Sequence, residues 1–130
     1  MKLFFLPLII LCYWIPVVAT ADPADKIAEL IRQGNIHELS KLFTPTVEIT
    51  ILDDENVYSK DQAEIVLEKF FNQYKPNSVK ILHNIASNPV YRFEVIIVTT
   101  QKGIFRIAYT LKETDGNLML IDMRIEREKV

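Results

Sequence analysis

The chain has 130 residues, with 15 lysines and arginines against 17 aspartates and glutamates, two histidines and one cysteine. That length suits one domain with a single hydrophobic core, which needs neither metals nor disulfides to hold it. A slight acidic excess and no basic cluster argue against a nucleic-acid partner, and a lone Cys12 excludes an intramolecular disulfide.

Lys2 precedes a stretch, residues 3–18, that is apolar apart from Pro7, Cys12, Tyr13, Trp14 and Pro16, and the stretch is followed by Ala19-Thr20-Ala21. A positive start, an apolar run and small side chains before Asp22 make the layout of a cleavable export signal, residues 1–21, followed by a domain over 22–130. The run is shorter than the roughly 20 apolar residues a spanning helix needs, so no membrane span is expected in the mature protein. Ile10-Leu11 before Cys12 lacks the small residue of a lipidation site. Cleavage would remove Lys2 and Cys12, leaving 14 basic against 17 acidic residues in a cysteine-free, periplasmic or secreted product.

Asp22-Pro23-Ala24-Asp25 places a capping acid and a first-turn proline before Ile27, Leu30 and Ile31, and Gly34 stops that helix. Asn35 caps a second short helix carrying Ile36, Leu39, Leu42 and Phe43, ended by Pro45. From Thr46 the period becomes two: Val47, Ile49 and Ile51 alternate with Glu48 and Thr50, and the chain turns at 53–56 to return through Val57-Tyr58 as a hairpin. Ser59-Lys60-Asp61-Gln62 is a capping box. Ala63, Val66, Leu67, Phe70, Phe71 and Tyr74 then follow at helical spacing up to Pro76. Four strand-like runs complete the chain, 79–87, 90–100, 104–112 and 118–126. They are separated by Asn88-Pro89, Gln101-Lys102-Gly103 and Asp115-Gly116, which predicts an antiparallel meander.

The fold class is therefore α+β: three helices in the N-terminal half packed on a curved antiparallel sheet. This order resembles the nuclear transport factor 2-like (cystatin-like cone) superfamily over 24–126. The resemblance is carried by Leu42-Phe43, Thr46-Val47-Glu48, Ser59-Lys60-Asp61-Gln62-Ala63 and Phe70-Phe71. With the leader, the chain also looks like an exported bacterial family of that fold with no assigned function. The resemblance implies a cone with any chemistry on its concave side, and makes a homodimer through the outer sheet face plausible. Fold alone assigns no activity.

Strand parity predicts which side chains line the cone. Tyr91, Phe93, Val95 and Ile97 share one parity, as do Phe105, Ile107, Tyr109 and Leu111, and Met119, Ile121, Met123 and Ile125. These are read as the inner face. Arg92, Glu94, Arg106, Thr110, Lys112, Asp122, Arg124 and Glu126 are read as a charged outer face, with Ile96, Val98 and Ala108 as a small apolar island. A bulge within 90–100 would exchange the faces and bring Arg92 and Glu94 inside.

Steroid isomerases of this superfamily carry a carboxylate base on the first strand. The resemblance sets their Thr-Val-Glu-Asp against Thr46-Val47-Glu48-Ile49, so Ile49 occupies the base position and Glu48 faces the other way. The remaining polar candidates inside the cone are His83 and Tyr109, with Tyr74 and Tyr91 as weaker members. His83 shares parity with Val79, Ile81 and Ile85. No catalytic residue is assigned. The expected pocket lining is Ile49, Phe70, His83, Tyr91, Phe93, Phe105 and Tyr109. No metal is expected, since the histidines lack carboxylates at ligand spacing and Asp53-Asp54-Glu55 lacks an alternating calcium loop; no cofactor is implied. The expectation is a non-catalytic module that holds a small apolar ligand in its cone or docks to an envelope protein. The alternative is a small acid/base enzyme, of isomerase or hydrolase type, using His83 and Tyr109.

Overall fold

The computed structural model describes residues 23–86 and 88–129. Residues 1–21, expected to form an export signal, lie outside the described residues. The first helix, α1 (Pro23–Gln33), has Asp25 in its first turn and Arg32 in its last, each suited to the helix dipole. It buries Ala24, Ile27, Ala28, Leu30 and Ile31. Gly34 ends it at φ 72°, with the Gly34 N–H donating to the Ile31 carbonyl and the Asn35 N–H to the Leu30 carbonyl, a Schellman close.

Helix α2 (Ile36–Ser40) is shorter than the sequence pattern suggests. Leu42 lies in the turn that follows it and Phe43 opens β1 (Phe43–Ile51), so these two residues leave the helix for the sheet. Pro45 is tolerated near the start of β1, where pairing with the neighbouring strand is irregular. The turn into β2 (Asp54–Ser59) is Leu52-Asp53, with Leu52 at φ 58°; the polar residues 54–56 belong to the strand and not to the tip.

Ser59 then caps α3 (Lys60–Gln73) as the sequence predicts. The Gln62 N–H donates to Ser59 Oγ at 3.3 Å, and Gln62 Oε1 accepts from the Ser59 N–H at 3.4 Å. The meander follows as β3 (Pro76–Ile85), β4 (Tyr91–Thr100), β5 (Gly103–Thr114) and β6 (Asn117–Arg127). All six strands form one sheet in the order β2-β1-β6-β5-β4-β3, antiparallel throughout except for the parallel β1–β6 pair.

One face of this sheet carries the helices, α1 over β3 and β4 and α3 over β1 and β2. Phe70 meets the Phe105 ring edge-on at 5.2 Å, and the Phe71 ring at 5.1 Å. Such pairs contribute about 0.5–1.5 kcal/mol beyond their buried area. Between α2 and α3, Glu64 accepts from Ser40 Oγ at 3.0 Å and lies 3.0 Å from His37 Nδ1. These two hydrogen bonds, His37 first, hold the Glu64 carboxyl below its ordinary range.

Ser59→Ala is expected to cost about 1 kcal/mol in urea unfolding, the usual penalty for a lost N-cap. A carboxyl lowered in the folded state stabilises above its unfolded value, about 4.3 for glutamate, and that stabilisation is lost as pH falls through the lower folded value. Urea midpoints should therefore decline in this acidic range, and Glu64→Gln should flatten that part of the decline.

Candidate functional site

The pairing of β4 with β5 decides what each face displays. Thr100 pairs with Gly103, leaving Gln101-Lys102 as a two-residue turn, so Gly103 begins β5. The three-residue separator expected from the sequence would set Val95 opposite Tyr109. With one residue fewer in the turn, Glu94 stands opposite Tyr109, Ile96 opposite Ile107 and Val98 opposite Phe105. A shift of one residue turns a whole strand over. Arg92, Glu94, Ile96 and Val98 therefore share the helix-covered inner face with Tyr109, and Tyr91, Phe93, Val95 and Ile97 face outward. The exchange needs no bulge in the β4–β5 ladder.

Bulges set two further facings. Ile81 pairs with Ile96 but His83 with Val95, so Leu82 is an extra residue and His83 and Ile85 fall on the outer face. Likewise Thr110 pairs with Asp122 and Leu111 with Leu120, which makes Ile121 extra. Leu120, and not Met119, thus joins Met123 and Ile125 inside, where all three are buried.

The expected pocket residues separate accordingly. Ile49, Phe70, Phe105 and Tyr109 lie within the hydrophobic core, whereas Tyr91 and Phe93 are each 37% exposed and His83 is exposed. His83 and Tyr109 occupy opposite faces of the sheet and cannot act as a pair. The proposed outer island is also redrawn: Ile96 and Val98 are buried inside, and Ala108 has Val95 as its outward neighbour.

The inner face instead holds a polar group that parity alone placed outside. A single transverse row runs Asn84, Glu94, Tyr109, Met123, Ile49, Asn56 across the six strands. Glu94 is 1% exposed and Tyr109 is fully buried. The Tyr109 hydroxyl donates to the Ala24 carbonyl in the first turn of α1 at 2.9 Å and also hydrogen-bonds the Glu94 carboxylate. Arg92, on the same face, donates from Nη2 to Asn84 Oδ1 at 3.4 Å. A buried carboxylate is tolerated only with such partners. Arg92 and Glu94 were legible as an inward pair only through the length of the Gln101-Lys102 turn. Asn84 follows from the bulge at Leu82, for which the sequence carries no clear signal.

Tyr74, the other tyrosine weighed for the interior, is half-buried at the opposite end, its ring 4.9 Å from Phe70 and 4.8 Å from Phe105. The Arg127 guanidinium lies 5.6 Å from the Tyr74 ring centre and 5.0 Å from that of Phe105. Tyr74 also borders a shallow polar depression of about 300 Å³ with Asn72, Gln73, Lys75, Thr100 and Lys102.

On the outer face the β3–β4 end presents Ile85, Tyr91 and Phe93, each 37–50% exposed; Leu82, at the bulge, and Val90, just before β4, are exposed at the same end. Ile85 and Phe93 stand directly across from each other. The Lys112 ammonium sits 5.8 Å from the Tyr91 ring centre. Among the described residues, no group of three or more histidine, cysteine, aspartate or glutamate side chains is arranged to hold a metal ion.

This helix order over a curved six-stranded sheet defines an α+β protein with a nuclear transport factor 2-like fold. The chain belongs to the DUF4783 family, described as "Domain of unknown function (DUF4783)", whose model matches residues 24–126. It is similar to a DUF4783 family protein from Bacteroides uniformis ATCC 8492, at 21% identity and TM-score 0.79, covering 84% of this chain and 100% of that one. A cystatin-like domain of unknown function from Nostoc punctiforme PCC 73102 aligns at 8% identity and TM-score 0.65, covering 82% of this chain and 74% of that one. An NTF-2 like protein of unknown function from Silicibacter pomeroyi DSS-3 aligns at 10% identity and TM-score 0.61, covering 81% and 89%. At these identities the likenesses show the fold. No curated protein matches the chain.

Tyr109→Phe deletes the hydroxyl that ties α1 to the sheet and removes a hydrogen-bond partner from the buried Glu94. It should cost roughly 1–3 kcal/mol in urea unfolding. Hydrogen exchange should quicken most in the first turns of α1 if Ala24 is held from this point.

Proposed function

We propose that the protein is an exported, non-catalytic interaction module that docks through the outer face of its sheet, at the β3–β4 end. The observation that carries this reading is the exposed strip of Ile85, Tyr91 and Phe93, with Leu82 and Val90 exposed at the same end of the sheet. Exposed apolar side chains that gather on one surface, instead of lying scattered, mark interaction sites, and aromatic residues are enriched at interface centres. The occupant is either an envelope protein or a second copy of the chain. Storage of an apolar ligand is less favoured, because Ile49, Phe70, Phe105 and Tyr109, the side chains that would line such a cavity, are packed into the core. Export rests on the leader-like residues 1–21 and places the module in the periplasm or outside the cell. Among the described residues no helix is long and apolar enough to cross a membrane.

A second reading, acid/base chemistry, is favoured by one observation: a carboxylate and a phenol, Glu94 and Tyr109, hydrogen-bonded on the inner face. A carboxylate base with a tyrosine donor is a workable proton-transfer pair. Substrate would reach it only if the first turn of α1 lifted from Tyr109.

A photoreactive amino acid placed at Phe93 in the exporting cell should yield a discrete cross-linked species, and one placed at Glu68 on α3 should not. Phe93→Asp should abolish the adduct formed from a probe at Tyr91 while leaving thermal unfolding nearly unchanged. If the Phe93 and Glu68 probes gave the same adducts, or neither gave any, the interaction reading would fail.

A further inference from the structure

At the end of the sheet away from Glu94 and Tyr109, three connections meet around the shallow depression beside Tyr74: the close of α3, the entry to β3 and the turn between β4 and β5. The depression is lined by the carboxamides of Asn72, Gln73, Asn77 and Gln101 and the ammonium groups of Lys75 and Lys102, with no carboxylate. None of these six side chains makes a hydrogen bond or ion pair with another described residue. In a chain of net charge −2 this is a locally cationic hollow.

Its walls are fixed from beneath. The buried Thr100 donates its hydroxyl to the Gly103 carbonyl at 2.8 Å and accepts the Lys102 N–H at 3.1 Å, which sets the Gln101-Lys102 turn. Gly103 lies at φ 138°, and a β-carbon there would come within 2.7 Å of Arg127 Nη1. The glycine thus leaves room for a guanidinium that donates to the Lys102 carbonyl at 3.5 Å and to the Tyr74 hydroxyl at 3.4 Å, adding a third cation behind the two lysines. Across from the turn, Pro76 pairs with Thr100 and Ser78 with Thr99, so Asn77 is an extra residue in the edge strand. On the remaining side α3 ends with the Tyr74 N–H on the Phe70 carbonyl. Beyond that bond the carbonyls of Phe71, Asn72 and Gln73 accept nothing from the described backbone, and the last turn carries no basic side chain to offset them.

We propose that this depression binds a hexuronate, a sugar ring that carries one carboxylate and several hydroxyls. The carboxylate pairs with the ammonium groups of Lys75 and Lys102. The hydroxyls donate to the free carbonyls at the end of α3 and both donate to and accept from the carboxamides, which offer both functions. Other ligand classes fit less of the wall. Phosphate brings acceptors almost alone, and these would face the carboxamide oxygens and the negative end of the helix. A neutral hexose leaves the cations unused, and an apolar molecule finds no apolar wall. A volume of about 300 Å³ suits one sugar ring at the lower end of small-molecule sites, and the open mouth admits the end unit of a longer acidic saccharide. The site lies at the opposite ends of β3 and β4 from Ile85 and Phe93, so it does not depend on the outer-face docking reading.

The test titrates galacturonate, glucuronate, galactose and inorganic phosphate into isotope-labelled protein purified from an exporting host, at constant ionic strength, and follows the backbone amide signals. At least one of the two sugar acids should move the amides around Lys75 and Gln101 saturably, and should bind about tenfold more tightly than galactose. Lys75→Gln with Lys102→Gln should bring the sugar acid down to the affinity of galactose. Asn77→Ala with Gln101→Ala should weaken the sugar acid by about tenfold. All four side chains are exposed, and the same spectra report whether each variant is folded. Tighter binding of a galacturonate trimer than of the monomer would support the site with a polysaccharide end as its source, and equal affinity would support it with the free sugar acid. The proposal is overturned if neither sugar acid gives saturable shifts at these amides, if galactose binds the wild type as well as the acids do, or if phosphate binds there more tightly.

Discussion

Both faces of this sheet depend on the pairing of β4 with β5 across the two-residue turn Gln101-Lys102. The turn sets Glu94 beside Tyr109, and from that single juxtaposition follow the buried polar group, the attachment of α1 and the exposed aromatic strip. β4 is apolar from Val95 through Val98, so either of its faces could have been buried. Its partner strand makes the choice. β5 alternates more strictly, with Phe105, Ile107, Tyr109 and Leu111 all buried, and β4 is turned to match it.

Burying Glu94 has an energetic cost that only specific partners offset. A carboxyl group in an apolar interior is strongly disfavoured unless hydrogen-bonded, and Glu94 is hydrogen-bonded with the Tyr109 hydroxyl, which donates in turn to the carbonyl of Ala24. The group therefore links the helix layer to the sheet at the end where α1 begins. At the other end the link is apolar, through Phe70, Tyr74 and Phe105, with Arg127 laid over the rings. The two ends of the inner face are thus fixed by different chemistry, one polar and one aromatic, around an aliphatic middle of Ile96, Ile107 and Ile125.

The same register exposes what a core would normally hide. Phe93 and Tyr91 face outward because Arg92 and Glu94 face inward, so the apolar strip and the polar core group are two consequences of one pairing. The exposed apolar strip and the helix attachment are therefore coupled in this fold: a change in the Gln101-Lys102 turn would disturb both. The charges of the outer face have a separate origin. It lies in strand order, because the parallel β1–β6 contact brings Glu48 beside Asp122, two acids far apart in sequence.

The sequence by itself determined the elements that local chemistry controls. Ser59 with Gln62 announced α3, Gly34 stopped α1, and Asp115-Gly116 turned β5 into β6 with both residues at positive φ. The α+β class followed from the switch of period at Thr46. Four of the seven residues expected to line the cone, Ile49, Phe70, Phe105 and Tyr109, do point inward, into the core, because they belong to segments with strong periodicity. The rest was settled by tertiary structure. Whether Gly103 ends a turn or begins a strand depends on pairing with Thr100, and the extra residues at Leu82 and Ile121 arise where a curved sheet must absorb mismatch between neighbouring strands. Side-chain facing has a period of two, so each one-residue choice reverses it. That is why His83 and Phe93 went outward and Glu94 inward, although every strand was recognisable from the sequence.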